Sequence, residues 1–296
     1  MDSRLIDFLQ RAESVLTRLE PMLPAIRGEL DWSQCLAARW QREGRGGYLQ
    51  PLKVSLDMRL DDLIGVDRQR EHLALNTRQF VQGMPANHAL LWGARGTGKS
   101  SLVRALLAAH AADGLRLIEI ERDHLADLPR VVEQLLKLPQ RFILFCDDLS
   151  FEAGEGDYRV LKSVLDGSLE RAPDNVLLYA TSNRRHLVPE HQSDNANTRM
   201  VDGELHPNEA VEDKIALSDR FGLWLSFYPF TQQHYLDVVR HWIETQAAAS
   251  GLVWQWDEAL EKEAIRWATG RGNRNGRCAY QFARQWVGLQ LLEAAK

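Results

Sequence analysis

The sequence lacks several features of exported and membrane-bound proteins. Only three cysteines occur among its 296 residues, at Cys35, Cys146 and Cys278, and none forms a CxxC pair. We therefore expect free thiols in a reducing compartment rather than disulfides or a metal site. The most apolar run, residues 142–146, has the length of a strand and not the roughly 18–20 residues of a membrane helix. Because the charged N-terminus also lacks a signal-peptide pattern, we expect a cytoplasmic protein without a membrane partner.

An excess of basic residues is missing as well. The chain has 36 basic and 41 acidic residues and a net charge of −5, whereas domains that bind nucleic-acid phosphates usually carry a basic excess. Net charge therefore does not support a nucleic-acid partner, although a local basic patch could still bind one. The composition, 45% hydrophobic and 26% charged, is close to that of soluble globular proteins, which excludes a disordered chain and a small disulfide scaffold.

From residue 60 onwards, apolar strand-like runs alternate with amphipathic helical segments, which is typical of a parallel sheet covered by helices. Strands are predicted at Ala89–Trp92, Leu115–Ile120, Phe142–Asp147, Val176–Thr181 and Leu223–Tyr228. Helices are predicted at 1–20, Lys99–Ala112, His124–Lys137, Asp157–Glu170, Gln232–Ala248, Asp257–Ala268 and Gly276–Ala295. The predicted fold class is α/β, with a helical N-terminal segment (1–59), an α/β domain (60–229) and a helical domain (230–296).

A glycine-rich loop follows the first of these strands and precedes a helix. It fits the phosphate-binding pattern G-x-x-x-x-G-K-[ST] and consists of Gly93, Ala94, Arg95, Gly96, Thr97, Gly98, Lys99 and Ser100. Glycines let backbone N–H groups turn towards phosphate oxygens, and the helix N-terminus favours an anion. We expect Lys99 to reach the β- and γ-phosphates of a nucleotide and Ser100 to ligate Mg²⁺. An ordinary glycine turn explains Lys99 poorly, because a cation at a helix N-terminus is unfavourable without an anion.

Two adjacent carboxylates end the apolar run at 142–146. Asp147 and Asp148 cannot both lie in a core, and their like charges repel each other. A nucleotide with Mg²⁺ would remove this conflict. We predict Asp147 as a Mg²⁺ ligand and Asp148 as the residue that orients the attacking water. Glu152 is an alternative for the second role.

A polar segment rich in acidic residues spans 188–215. Segments of this length inside a domain are usually functional or disordered. Two interpretations stay open, namely a solvated mobile loop and an element that contacts a partner.

Taken together, these motifs resemble those of the AAA+ ATPases, over about Leu60 to the C-terminus. The glycine-rich loop and the paired carboxylates match the Walker A and Walker B motifs. Further segments resemble the adenine-side segment (63–66), the sensor-1 strand (177–183), the arginine-finger segment (217–222) and sensor 2 of the lid (276–282). The superfamily usually has Glu where this chain has Asp148, whose side chain is one carbon shorter. More narrowly, the chain is similar to a bacterial AAA+ family of unknown function related to the replication-initiator and helicase-loader branch.

The resemblance implies roles for individual residues. Ile64, Gly65 and Val66 would lie beside the adenine, Asn183 near the γ-phosphate, Arg220 would be the arginine finger, and Arg277 would be the sensor-2 arginine. Local chemistry adds support for Arg277. The predicted N-cap Asn275 places this arginine in the first helical turn, where a cation opposes the helix dipole unless a phosphate is near. Arg271 and Arg274 are alternatives for that role.

The function implied is Mg²⁺-dependent hydrolysis of ATP by a homo-oligomer that acts as a nucleotide-driven switch or remodeller on an unidentified protein substrate. An alternative is a DNA-associated loader or initiator-like protein in which ATP binding controls assembly. The basic turns at 184–186 and 271–277 favour this alternative, whereas the net charge and the acidic segment oppose it. A small-molecule kinase ranks last, because it would need neither Asn183 nor the segment at 217–222.

Overall fold

The computed structural model describes residues 30–44, 46–150, 173–184 and 219–294, together with isolated residues and short pieces within 11–15, 160–165 and 199–206. The described residues include little of two predicted helices, at 1–20 and Asp157–Glu170. They also exclude Glu152 and most of the acidic segment. The predicted fold class is confirmed, because the chain forms a mainly parallel sheet flanked by helices.

Nine strands are described: β1 (Ala37–Glu43), β2 (Gly46–Leu52), β3 (Ala89–Gly93), β4 (Leu115–Glu119), β5 (Arg141–Cys146), β6 (Val176–Ser182), β7 (Arg199–Val201), β8 (Glu204–His206) and β9 (Leu223–Phe227). Seven of them form one sheet in the order β2-β1-β4-β5-β6-β3-β9, in which only the β1–β2 pair is antiparallel. β7 and β8 form a separate antiparallel pair within the acidic segment. The five predicted strands are confirmed, and β9 ends two residues before Pro229, which has no N–H for a ladder.

The hairpin of β1 and β2 corrects the prediction of a helical segment at 1–59. β1 pairs in parallel with β4, with Ala37 opposite Leu117, so the hairpin adds two strands to the sheet. It is fixed there by Trp40, which is 1% exposed and donates its indole N–H to the buried carboxylate of Asp127 over 3.1 Å. The boundary predicted at 59/60 therefore does not divide a helical segment from the sheet.

Six α-helices lie wholly within the described residues: α1 (Asp67–Val81), α2 (Lys99–His110), α3 (Leu128–Leu135), α4 (Gln232–Ser250), α5 (Glu258–Gly270) and α6 (Gly276–Ala294). The sequence did not predict α1. The helix predicted at His124–Lys137 is shorter, because 122–127 form a 3₁₀ segment and Pro129 is accommodated in the first turn of α3. No helix in the described ranges is both long and apolar enough to span a bilayer.

Three buried clusters hold these elements together. Two of them lie in the sheet domain, and the third fills the space between α4, α5 and α6. β5 and β6 are almost wholly buried, as expected for parallel strands covered on both faces. The carboxyl ends of the parallel strands meet at one edge of the sheet. This edge faces the helical domain, and the candidate site lies between the two.

Candidate functional site

A cavity of about 830 Å³ is lined by residues at the carboxyl edge of the sheet and by residues of α4 and α6. Most of the predicted site residues line it, namely Ile64, Val66, Arg95, Gly96, Thr97, Gly98, Lys99, Ser100, Asp147, Asp148, Asn183 and Arg277. Gly65, Gly93, Ala94 and Arg220 are not among the lining residues. The structure therefore brings together side chains from three separate strand ends and from the helical domain.

The glycine-rich loop, residues 93–100, connects β3 to α2 and is called the P-loop below. Gly93, Gly96 and Gly98 all have positive φ angles of 125°, 75° and 101°, which glycine adopts more readily than other residues. The loop is tied to the edge strand, because the Ala94 N–H donates to the Phe227 carbonyl over 2.9 Å. α2 starts immediately after Gly98, so its free N–H groups face the cavity.

The Lys99 side chain folds back onto this loop. Its ammonium donates to the carbonyl oxygens of Gly93 (2.8 Å) and Ala94 (2.7 Å) and lies 3.4 Å from Oδ1 of Asn183. Burial lowers the pKa of Lys99, while the carboxylates of Asp147 and Asp148 act in the opposite direction. The two loop carbonyls are neutral acceptors, so an anionic phosphate oxygen would be a stronger partner for this cation.

Asp147 joins the P-loop to the ends of β5 and β6. Its Oδ1 accepts hydrogen bonds from the hydroxyls of Ser100 (2.7 Å) and Thr181 (2.6 Å). Hydroxyl and carboxylate oxygens are the ligands that Mg²⁺ prefers, and it commonly completes its shell with phosphate oxygens and water. The described residues contain no cluster of three or more His, Cys, Asp or Glu that could hold a metal. The donor set fits a Mg²⁺ that arrives with a nucleotide.

Asp148 has a backbone conformation that is rare for residues other than glycine, with φ of 54°. Its N–H donates to Oγ1 of Thr181 over 2.9 Å, and its carboxylate accepts a hydrogen bond from the side-chain amide of Asn183. The second carboxylate oxygen lies 3.8 Å from the guanidinium of Arg95. These contacts hold the carboxylate at the cavity, while its alternative Glu152 lies outside the described residues.

The opposite side of the cavity is apolar and aromatic. Ile64 and Val66 lie there with Trp242 of α4 and Tyr280 of α6. The two aromatic rings are arranged edge to face, with their centroids 4.9 Å apart. Neither aromatic residue was predicted from the sequence. Tyr280 follows Arg277 by three residues on one helix, so helical spacing could have placed it on the same face. No comparable signal pointed to Trp242.

The segment at 63–66 is fixed to α4 by a histidine. Nε2 of His234 lies 2.8 Å from the carbonyl oxygen of Ile64, and a Cβ on Gly65 would lie 2.1 Å from the same ring nitrogen. Gly65, which has φ of 73°, thus allows this close approach. The predicted adenine-side segment is therefore packed directly against the helical domain.

Arg277 is the arginine of the α5–α6 region that reaches the cavity. Asn275 caps α6 as predicted, with Oδ1 accepting the Cys278 N–H over 2.9 Å, and this cap places Arg277 in the first turn. Arg271 instead stacks on Trp267, with its guanidinium carbon 3.3 Å from the ring centroid. Neither Arg271 nor Arg274 lines the cavity.

Arg220 lies at the other end of the sheet from the P-loop. It precedes β9, whose first residue Leu223 pairs with Ala89, while its last residue Phe227 pairs with Gly93 beside the P-loop. These four residue steps span about 13 Å of strand. Arg220 therefore lies near the amino end of β9, and the candidate nucleotide site lies near the carboxyl end.

Comparison with solved structures gives the fold. A point mutant of RuvB from Thermotoga maritima is 15% identical over 77% of this chain and 64% of its own, with a TM-score of 0.50. The Orc1 protein of Aeropyrum pernix in complex with DNA is 17% identical over 75% of this chain and 61% of its own, also with a TM-score of 0.50. This chain thus spans less than two thirds of either protein.

Domain III of the replication initiation protein DnaA from Thermotoga maritima is 13% identical, over 82% of this chain and 92% of that domain, with a TM-score of 0.48. None of the curated proteins compared with the sequence matches it significantly. Residues 33–290 match the family described as "Protein of unknown function (DUF815)". Because this match spans most of the sequence and the sheet and P-loop have the arrangement described above, the chain belongs to the DUF815 family and has the fold of the AAA+ ATPases.

Proposed function

We propose that the chain is a Mg²⁺-dependent ATPase that acts as an oligomeric, nucleotide-driven switch or remodeller. The observation that carries the proposal is the convergence of one ammonium, one hydroxyl and two carboxylates at one cavity. Lys99, Ser100, Asp147 and Asp148 come from the P-loop region and from the end of β5, and all four line the same space. A structural turn would not require such a set, whereas phosphoryl transfer uses each group.

The phosphate side of the cavity supplies positive charge and metal ligands. Lys99 would exchange the carbonyls of Gly93 and Ala94 for the β- and γ-phosphate oxygens, while the P-loop N–H groups hold the phosphates. Ser100 and Asp147 would hold Mg²⁺. When bound, this ion would neutralise charge on the phosphates.

The apolar side of the cavity suits a nucleobase. Ile64 and Val66 supply aliphatic surface, and Trp242 and Tyr280 supply aromatic surface within reach of the same space. Aromatic side chains and bases attract one another through stacking. We infer that the adenine lies on this side, next to the segment at 63–66, with Arg277 extending from α6 towards the phosphates.

Asp148 would orient the attacking water and accept its proton at a carboxylate oxygen. In the structure this carboxylate contacts Asn183 and Arg95. An ionised carboxylate has about four acceptor sites, so water can bind beside these two contacts, and Asn183 would lie near the γ-phosphate. The shorter side chain of Asp148 leaves Glu152 as the alternative for the same role.

Arg220 would act on the nucleotide of a neighbouring subunit. Its position before the amino end of β9, away from the P-loop, supports this assignment, since the residue cannot serve the cavity of its own chain without unpairing the strand. An arginine supplied by a neighbour stabilises charge on the transferring phosphoryl group. This assignment requires that the chain forms homo-oligomers. The cytoplasmic location, the protein substrate and the boundary at 229/230 stay predictions.

The test is the ATPase rate per chain measured against protein concentration, with and without single-stranded DNA. A finger supplied by a neighbour predicts a rate per chain that rises with concentration and depends on Mg²⁺. The alternative, a DNA-associated loader, predicts instead that DNA alters assembly more than the rate of ATP hydrolysis. No contact among the described residues favours this alternative specifically. Absence of Mg²⁺-dependent phosphate release at every concentration would contradict the proposal.

A further inference from the structure

The N-terminus of α6 lies directly on the P-loop. The N–H of Gly276 donates to the carbonyl oxygen of Gly96 over 2.8 Å, and Nδ2 of Asn275 donates to the carbonyl oxygen of Arg95 over 3.3 Å. The helical domain, residues 230–296, is called the lid below, and these two hydrogen bonds are called the P-loop–lid contact. The same Asn275 side chain caps α6 through Oδ1, so one amide group serves both the helix and the P-loop.

The two segments pack so closely that a side chain at Gly96 or Gly276 would have to displace a neighbouring group. A Cβ on Gly96 would lie 2.7 Å from the Asn275 side chain, and a Cβ on Gly276 would lie 3.1 Å from the Gly96 oxygen. The first distance is shorter than real Cβ contacts allow. A side chain at Gly96 would displace the Asn275 side chain, and a methyl group at position 276 would have to push the Gly96 oxygen away by a few tenths of an ångström.

The planarity of the peptide bond connects this contact to the phosphate site. The carbonyl of Arg95 and the N–H of Gly96 belong to one rigid peptide unit, as do the carbonyl of Gly96 and the N–H of Thr97. In each unit the two groups point in opposite directions. A phosphate that turns these N–H groups inwards must therefore also set the direction of the two carbonyls that receive Gly276 and Asn275.

We propose that Asn275 and Gly276 are positioning residues that couple the state of the P-loop to the lid, and so place Arg277 over the bound phosphates. The inference rests on the proposed function, since it requires ATP in this cavity. Phosphate binding orients the P-loop peptides, the P-loop–lid contact passes this orientation to α6, and Arg277, one residue further along, moves with the first helical turn.

Two substitutions disturb the P-loop–lid contact while preserving the helix. Gly276→Ala adds a methyl group against the Gly96 oxygen, although alanine is a better helix former than glycine. Asn275→Ser keeps a good N-cap but removes the amide that reaches Arg95. The matched control is Gly288→Ala in the same helix, where a Cβ would meet nothing within 4 Å.

The affinity for ATPγS, the rate of ATP hydrolysis and amide hydrogen exchange at the start of α6 would be measured for all four proteins. We expect both contact variants to bind ATPγS within about threefold of wild type but to lose about tenfold in kcat, since they misplace a transition-state group rather than remove it. ATPγS should slow exchange in the first turn of α6 in the wild type and in Gly288→Ala, but not in the two contact variants.

Wild-type kcat and wild-type exchange in both folded contact variants would overturn the inference. A larger loss of ATPγS affinity than of kcat would also overturn it, because that result assigns the contact to ground-state binding. Failure of the proposed function has a different signature, in which the wild-type chain itself binds no ATPγS. Circular dichroism of each variant verifies that α6 and the rest of the fold are intact.

Discussion

Asn183 donates a side-chain hydrogen bond to the carboxylate of Asp148, which joins the ends of two neighbouring strands, β6 and β5. The residue proposed to orient water is thus engaged by the residue proposed to lie near the γ-phosphate. Such a pair keeps the carboxylate at a fixed place at the edge of the cavity. The positive φ of Asp148 marks a backbone held by its neighbours.

Asp148→Asn should bind Mg²⁺-ATP and lose most of its turnover, by about 10²–10⁴-fold, because an amide cannot accept the proton of water. Asparagine tolerates a positive φ, so the backbone is expected to persist. Calorimetry with ATPγS and a phosphate-release assay separate binding from turnover.

Glu152→Gln tests the alternative residue for orienting the attacking water. It should retain turnover while Asp148→Asn loses it. The opposite ranking would assign water activation to Glu152 and would mean that the shorter side chain of Asp148 does not reach the water.

Arg220→Ala should bind ATP nearly normally and hydrolyse it about 10³–10⁵-fold more slowly. If Arg220 acts on a neighbour, a mixture of Arg220→Ala and Asp148→Asn chains contains sites with an intact Asp148 from one chain and an intact Arg220 from the other. Activity should then return in part on mixing. No recovery, with light scattering showing that the two variants assemble together, would refute action between subunits.

Local chemistry explains why much of the site could be predicted from sequence. The P-loop needs glycines, a lysine and a hydroxyl in fixed order, and the strand end before Asp147 is an uninterrupted apolar run, so both signals are contained in short segments. The strands and helices that position these groups are predicted from the spacing of apolar residues along the sequence. The cavity accordingly contains twelve of the predicted residues.

What the sequence did not predict depends on contacts between distant segments. β1 has few apolar residues and becomes a strand because Trp40 bonds to Asp127, 87 residues away, and because β4 offers it an edge. α1 is mostly polar and buries only a few residues, Leu73 and Phe80 among them. Trp242 reaches the cavity because α4 packs against the segment at 63–66, which no local pattern in the sequence indicates.

His88 gives the fold a pH dependence. Burial lowers the pKa of His88 to about 4, and its Nδ1 accepts the backbone N–H of Leu178 over 2.9 Å. An unfolded histidine titrates near about 6.5, so the unfolded chain binds more protons than the folded chain between these two values. Stability is therefore full above this window and falls as the pH decreases through it.

We expect His88 to remove about 2 kcal/mol from the free energy of unfolding between neutral pH and about pH 4, allowing for its partial exposure. Urea unfolding across this range measures the loss. His88→Asn, which retains an acceptor but does not titrate, should show a shallower pH dependence. An unchanged slope in this variant would mean that other groups cause the loss.

The central claim is that the P-loop cavity binds ATP through Lys99, and titration calorimetry of ATP into wild type and Lys99→Ala tests it most directly. Lys262→Ala is the control, because Lys262 lies in the helical domain, where it pairs with Glu258 on α5. We predict that the wild type and the control bind ATP alike and that Lys99→Ala, folded by circular dichroism, loses about 10²-fold or more in affinity. Equal ATP affinity in wild type and Lys99→Ala would contradict the account.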